Sequence, residues 1–380
     1  MTPPVVLIAG GGTGGHVFPA LAVAEALRAL ADVDVVFCGT PRGLEARVVP
    51  ERGWRLELLD VEPMKGGGVR RAVRGAVVAA RATGRALGLV RALRPRVVLS
   101  VGGYAAGPVS LAAALQRVPI AVLEPNNVVG LANRLLAPFA ARAYVAWEDT
   151  ATRFRPSARH VVGVPLRAVF APRPYAPRGT ARVLVMGGSQ GAAALNERMP
   201  EAIARLTDVP GLEVLHQAGR HRDIHVREAY GRGGAARVEV VPFIDDVAKA
   251  IGDADVVIAR AGASTLAELT AIGRAAVLVP FPHAADDHQA RNAEALARVG
   301  GAVCIRQTDA TPERLAADLG RLLRDDTARV AMADASRARG RPSAAHDVAA
   351  DLLELAGIPR TPRAAKNGVA RLNGSTREAS

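Results

Sequence analysis

A histidine at position 16 stands directly behind Gly10-Gly11-Gly12-Thr13-Gly14-Gly15, a run in which only threonine carries a side chain. An imidazole titrates near neutrality and can take a proton from an attacking hydroxyl, so His16 is a candidate general base. A helix cap or a donor that orients substrate are the other roles its position allows. The glycines expose backbone N–H groups to a ligand or a facing domain, although a plain tight turn would also use them. No Gly-Lys-Ser/Thr follows, and the spacing is not the dinucleotide fingerprint. Phosphate hydrolysis on a P-loop and hydride transfer are therefore disfavoured.

Two further glycine loops repeat the theme, at Gly102-Gly103-Tyr104 and at Gly187-Gly188-Ser189-Gln190-Gly191-Ala192. A fourth segment, Arg260-Ala261-Gly262-Ala263-Ser264-Thr265-Leu266-Ala267-Glu268, places small residues where a helix should open. Free amides at a helix N-terminus suit a diphosphate. Glu268 could accept hydrogen bonds from ribose hydroxyls, or serve only as a first-turn glutamate that favours the helix dipole. Pro280-Phe281-Pro282-His283 and Asp286-Asp287-His288-Gln289 add polar groups after the next apolar run. The acidic pairs Asp245-Asp246, Asp286-Asp287 and Asp325-Asp326 form no Asp-x-Asp element, so no metal is expected, and Asp325-Asp326 reads as solvated surface.

These loops need strands to hold them. Short apolar runs at Val5 to Ala9, Val33 to Cys38, Val97 to Val101 and Pro119 to Leu123 alternate with helical patterns, the first from Pro19 to Leu30. The layout restarts at Arg182 to Met186, with a helix from Ala193 and further strands at Val238 to Pro242, Val256 to Ala259 and Ala276 to Val279. Such alternation specifies an α/β fold of two Rossmann-like domains with parallel sheets. Pro165, Pro172, Pro174 and Pro177 mark residues 164–180 as the linker. Residues 1–163 then form the N-terminal domain, closed by a helix at about 344–357. Residues 181–343 form the C-terminal domain, and 358–380 read as a disordered basic tail.

At 380 residues, with 49% hydrophobic and 22% charged residues, the chain can fill two cores. Its formal charge of +13 points to an anionic partner. Cys38 and Cys304 are too few and too far apart for a disulfide framework, which fits a reducing cytoplasm. The N-terminus shows no charged leader with an apolar segment, so no signal peptide is expected, and arginine interrupts every long apolar run. From Lys65 to Arg96 the basic residues Lys65, Arg70, Arg71, Arg74, Arg81, Arg85, Arg91, Arg94 and Arg96 meet no acidic one. Interleaved with Val69, Val73, Val77, Val78, Leu87, Leu89 and Val90, they describe a cationic rim on an amphipathic helix. An anionic membrane surface is the reading favoured over nucleic acid, since 3% aromatic content leaves few stacking platforms. An ordinary helix with an arginine-rich solvent face is the alternative.

Taken together, residues 5–356 resemble the MurG family of UDP-N-acetylglucosamine transferases. The likeness rests on Gly11 to Ala20, Gly102 to Pro108, Gly187 to Ala192, Val162 to Arg167, Phe243 to Asp246, Arg260 to Glu268 and Ala285 to Gln289. It implies the GT-B architecture, with two Rossmann-like domains facing a cleft. It also implies inverting transfer from UDP-N-acetylglucosamine to the 4-hydroxyl of N-acetylmuramic acid in lipid I, giving lipid II at the cytoplasmic face of the membrane, with no cofactor. By the same resemblance the donor is held by Thr13, Gly14, Gly15, Asn126, Arg167, Ser189, Ile244, Ala263, Ser264, Thr265, Leu266, Ala267, Glu268 and Gln289. Gly103 and Tyr104 face the acceptor, and the base is His16, with Glu124 second. Where many relatives have His-Glu-Gln-Asn this chain has Leu123-Glu124-Pro125-Asn126, so no role of that histidine or glutamine carries over. A GT-B transferase for diacylglycerol or a small metabolite, and a binding protein that kept the fold, are the rival readings.

Overall fold

Valine, isoleucine and leucine fill the short strands, as expected of parallel sheets buried on both faces. The computed structural model describes residues 2–61, 69–177, 179–188, 191–231 and 236–361, with side chains left aside for 69–80 and 285. The first half runs β1 (Val5–Gly10), α1 (Gly14–Leu30), β2 (Asp34–Gly39), α2 (Glu45–Glu51), β3 (Arg55–Leu58), α3 (Val69–Leu93), β4 (Val97–Gly102) and α4 (Ala106–Leu115). It continues with β5 (Ile120–Glu124), α5 (Leu131–Leu136), β6 (Arg142–Val145), α6 (Glu148–Ala151) and β7 (Arg159–Val161). All seven strands are parallel, in the order β3-β2-β1-β4-β5-β6-β7.

The second half runs β8 (Arg182–Met186), α7 (Ala193–Ala204), β9 (Glu213–Gln217), α8 (Asp223–Tyr230), β10 (Arg237–Val241), α9 (Val247–Asp253), β11 (Val256–Ala259) and α10 (Ala263–Ile272). Then come β12 (Ala275–Leu278), α11 (His288–Arg298), β13 (Val303–Cys304), α12 (Pro312–Arg324), α13 (Asp326–Ala338) and α14 (Ala344–Leu355). This second parallel sheet has the order β10-β9-β8-β11-β12-β13. Strand order reverses between β1 and β4 in one sheet and between β8 and β11 in the other. Open α/β sheets bind ligands at the carboxyl ends of such strands. The glycine loops occupy those ends.

Helix α14 returns to the first sheet. Val348, Ala349, Leu352 and Leu353 are buried with Leu21, Leu27, Val35 and Tyr144, while Asp351 takes the Arg142 Nε at 3.0 Å and the Tyr144 hydroxyl at 2.5 Å. Ile358, assigned from sequence to the tail, is buried in the same core, so order extends past the helix; residues 362–380 lie outside those described. The connecting segment is anchored at both ends. Gly163 donates to the Val145 carbonyl, whereas Leu166 and Phe170 are buried in the second half's core. Tyr175 donates to Asp255 at 2.7 Å and receives Arg329 Nε at 2.5 Å.

Helix α1 begins at Gly14, five residues before the expected Pro19, with Thr13 extended as its cap residue. His16 therefore sits in its first turn. In α3, Ala82, Ala86 and Val90 are buried while Arg81, Arg85 and Arg91 are exposed, as is Arg94 just past its end. The apolar stripe over this part is spent on folding. Lys65 lies outside the described residues, as do the side chains of Val69, Arg70, Arg71, Val73, Arg74, Val77 and Val78. The acidic pairs act locally: Asp246 caps α9 and Asp325 caps α13 through backbone N–H bonds of 2.9 Å.

Candidate active site

The loop after β1 and the loop after β4 pack backbone on backbone. A Cβ at Gly10 would stand 2.0 Å from the Gly102 carbonyl oxygen, and one at Gly103 would stand 2.4 Å from that of Gly11. Gly11 N–H donates to the Gly102 oxygen at 3.0 Å. These glycines serve the close approach of two loops. Gly12 is different, with a φ of +93° and nothing within 4 Å of its missing side chain. Open space for a ligand starts there and continues past Thr13 and Gly15.

His16 Nδ1 lies 3.1 Å from the Gly11 carbonyl oxygen. A carbonyl only accepts, so Nδ1 carries the hydrogen and Nε2 keeps its lone pair. The Nε2 atom lies over Gly102, 3.2 Å from where a Cβ there would be. Tyr104, 45% exposed, follows on the same rim.

Glu124, at the end of β5, is buried and accepts from Asn126 N at 3.2 Å, Asn126 Nδ2 at 3.3 Å, Gly130 N at 2.9 Å and Asn133 Nδ2 at 3.1 Å. Asn133 in turn accepts from Ser100 on β4 at 3.0 Å. A carboxylate with four donors organises its own loop and leaves little capacity for a substrate proton. The structure thus puts Glu124 behind Asn126, whereas His16 is half-buried with its Nε2 over Gly102.

The second half contributes the N-terminus of α10, whose first amides lack intrahelical partners. Ala263 and Leu266 turn their side chains into the core, while Thr265, Ala267 and Glu268 are half-buried. Ser264 Oγ is buried without a hydrogen-bond partner among the described residues. Burial pushes the Glu268 carboxyl up to about 7, against the pull of the Arg167 guanidinium. Gln289 uses Oε1 to accept Phe281 N at 3.0 Å, which frees its amide group to donate elsewhere. Asp286 and Asp287 just before it both adopt left-handed backbone, at φ 51° and 53°, a conformation that costs energy without glycine. Gly188 has open space around it, but Ser189 and Gln190 lie outside the described residues. Ile244 is buried behind exposed Phe243. It borders a groove of about 1070 Å³ that follows the face of β8, β9 and β10, away from the other site residues.

Two groups not singled out in the sequence join this site. Asn292 on α11, fully buried, accepts from Asn127 N at 2.9 Å and donates to the Ala261 carbonyl at 3.3 Å, tying the loop after β5 to the loop after β11. Glu45, also buried, accepts from Gly12 N at 2.6 Å, Thr40 N at 2.9 Å and Thr40 Oγ at 3.1 Å. Its available signal was a lone acidic residue close behind Gly39 and Gly43; a Cβ at either would strike its side chain, at 2.3 and 2.2 Å respectively. Helices α1 and α10, which open behind the first glycine loop and behind Arg260–Gly262, are in contact across the cleft.

Two parallel Rossmann-like sheets, with glycine loops gathered at both switch points, define the GT-B architecture. The model of the glycosyltransferase family 28 N-terminal domain matches residues 6–145, and that of the family 28 C-terminal domain matches residues 182–348. The chain belongs to glycosyltransferase family 28. It is 58% identical over 93% of its length, and 89% of the relative's, to a Sorangium cellulosum protein named UDP-N-acetylglucosamine--N-acetylmuramyl-(pentapeptide) pyrophosphoryl-undecaprenol N-acetylglucosamine transferase. A relative of the same name from Acidithiobacillus ferrooxidans is 45% identical, with 93% and 98% of the two chains covered. Among solved structures, MurG of Acinetobacter baumannii superposes with a TM-score of 0.79 at 35% identity, covering 93% of this chain and 99% of that one.

Proposed function

We propose that this protein transfers N-acetylglucosamine from UDP-N-acetylglucosamine to the 4-hydroxyl of N-acetylmuramic acid in lipid I, giving lipid II with inversion at the anomeric carbon. The observation that carries this is the His16 imidazole, oriented by the Gly11 carbonyl with its Nε2 lone pair over Gly102 at the end of β4, in a chain 58% identical to a transferase of that name.

The acceptor hydroxyl attacks the anomeric carbon from the first domain's side as Nε2 takes its proton. The bond to UDP breaks on the opposite face. The α10 amides and Arg167 receive the charge on the departing diphosphate, and preorganised dipoles of this kind need no reorganisation during the step. Glu268 accepts the ribose hydroxyls, the Ile244 backbone meets the uracil, and Gln289 donates to the sugar. Ser189, Asn126 and Thr13 to Gly15 complete the donor site. Tyr104 and Gly103 border the acceptor. In the same reading the domains divide at the 164–180 linker, with the helix at 344–357 closing the first.

The protein works as a peripheral enzyme on the cytoplasmic face of the membrane and takes no nucleic acid. Among the described residues no helix is long and apolar enough to cross a membrane. Helices α4 and α5 pack together and expose Leu111, Leu115, Leu131 and Leu135, with Phe139 just beyond. Helix α3 packs on α4 and lines its outer side with exposed arginines. Apolar side chains that enter the lipid interface beside cations that meet anionic headgroups support this orientation.

The test is transfer of labelled sugar to a soluble lipid I analogue with chelator present and UDP-glucose in parallel. Chelator-resistant transfer specific for N-acetylglucosamine is expected. Transfer to diacylglycerol instead would keep the fold and overturn the acceptor.

A further inference from the structure

One peptide unit lies between Glu45 and His16. The N–H that Glu45 Oε2 accepts at 2.6 Å belongs to Gly12, and the carbonyl to which His16 Nδ1 donates at 3.1 Å belongs to Gly11. Both groups sit on the single amide that joins those two glycines. That amide is planar and trans, so its N–H and C=O point in opposite directions and the two partners address it from opposite ends.

We infer that Glu45 is a positioning residue for the base, acting through the Gly11–Gly12 amide as a carboxylate–peptide–imidazole relay. The inference rests on the reading of His16 as base. A carboxylate at one end of an amide polarises it and makes the carbonyl at the other end a stronger acceptor. That carbonyl then holds the hydrogen on Nδ1 and leaves Nε2 basic. A carboxylate bound directly to a histidine does the same work in hydrolytic triads. Here the loop's own backbone is inserted between them.

The surroundings suit this role better than that of a simple loop brace. Glu45 is buried, and its three described donors are two backbone N–H groups and a hydroxyl, with no cation among them, so the charge is not cancelled by an ion pair. Gly11, Gly39 and Gly43 leave the room it fills: a Cβ at any of them would stand 2.2–2.4 Å from a Glu45 side-chain atom. Gly11 is doubly constrained, since its N–H is held by the Gly102 carbonyl while its C=O holds His16.

The experiment combines ¹⁵N-histidine spectra of the wild-type protein with kinetics of Glu45→Gln. Glutamine presents one acceptor oxygen where the carboxylate serves three donors. In the wild type, neutral His16 is expected with its proton on Nδ1 and the Gly12 amide proton shifted strongly downfield. In E45Q the tautomers mix, kcat falls about 10- to 100-fold, the loss typical of removing an outer partner of a functional histidine, and UDP-N-acetylglucosamine Kd stays within about twofold because Glu45 bonds Gly12 and Thr40 and none of the residues assigned to the donor. A wild-type His16 protonated on Nε2, an unshifted Gly12 amide, or an E45Q kcat within about twofold of wild type would overturn the relay. If E45Q does not fold, the two wild-type resonances decide alone. Since the tautomer is read without turnover, failure of the relay and failure of the lipid I assignment give different results.

Discussion

The backbone N–H of Asn127 donates to Asn292 Oδ1 at 2.9 Å, and this bond fastens the loop after β5 in the first half to helix α11 in the second. Asn292 also donates to the Ala261 carbonyl, so one buried amide serves a loop from each sheet. Replacing Asn292 with alanine strands an amide N–H and a carbonyl in a buried place, at a cost of about 1–3 kcal/mol. Thermal melting should show that loss. Initial rates should show a lower kcat together with a raised donor KM, because the two loops lose their common reference; an unchanged donor KM would mean the loops are placed independently.

In the proposed mechanism His16→Ala removes the proton acceptor but no group assigned to UDP. Turnover is expected to fall about 10²- to 10⁴-fold, the usual worth of a positioned base. Calorimetric titration with UDP-N-acetylglucosamine should give a Kd close to wild type, and comparable losses in rate and donor affinity would refute the base role.

If the proposed donor site is right, Glu268 is expected to make donor binding pH-dependent. Burial holds its carboxyl at about 7, so the ionised form, which the proposed donor site sets against the ribose hydroxyls, grows as pH rises through neutrality. Donor affinity should tighten between pH 6 and 8 in the wild type and lose that slope in Glu268→Gln. Stability runs the other way. The folded pKa lies above the ordinary 4.5, so the native state binds the extra proton between those values. Its stabilising contribution is complete below about 4.5 and is lost as pH rises through about 7. Denaturant titrations of E268Q across that window should therefore be flatter than those of wild type.

Gly103 and Gly12 are glycines for different reasons. Alanine at Gly103 would drive a Cβ to 2.4 Å from the Gly11 oxygen, separating the two loops, whereas alanine at Gly12 meets no atom within 4 Å and bears only the strain of φ +93°. Gly12→Ala should cost about 1 kcal/mol. Gly103→Ala should cost more and lower kcat as well. Equal melting shifts for the two would show that the loops are not held by this approach.

The exposed leucines of α4 and α5 predict lipid contact. Leu135→Glu should release the protein from vesicles containing anionic lipid in a flotation assay while leaving transfer to a soluble acceptor intact. Retention of L135E on the vesicles would move the contact elsewhere.

Most strands that the sequence revealed are buried on both faces, at Val5, Asp34, Val97, Ile120, Arg182, Val256 and Ala275, because each is a largely continuous apolar run; the edge strand Arg237–Val241 was legible from its valines although it is partly exposed. Those it concealed lie towards the sheet margins: Arg55–Leu58, Arg142–Val145, Arg159–Val161, Glu213–Gln217 and Val303–Cys304. Their exposed or charged faces break the run. The sequence pattern starts helix α1 at Pro19, past Gly14 and Gly15, which are poor helix formers, yet a loop packed against β4 fixes their backbone whatever their propensity.

By itself the sequence determined the α/β class, the duplication of the Rossmann-like unit, the family and the loops that carry chemistry, because each is written in local pattern: apolar period, glycine position and short motif. Only the tertiary structure decided what each polar side chain in those loops does. Glu124 and Glu45 are both single acidic residues near glycines in the chain, but one holds the Asn126 loop and the other holds the amide that orients His16. Asn292 reads as an unremarked helical asparagine until α11 is laid against the loop after β5. Hydrogen-bond partners 33 or 165 residues apart are selected by the closure of the sheets and of the cleft, and no local propensity encodes that closure.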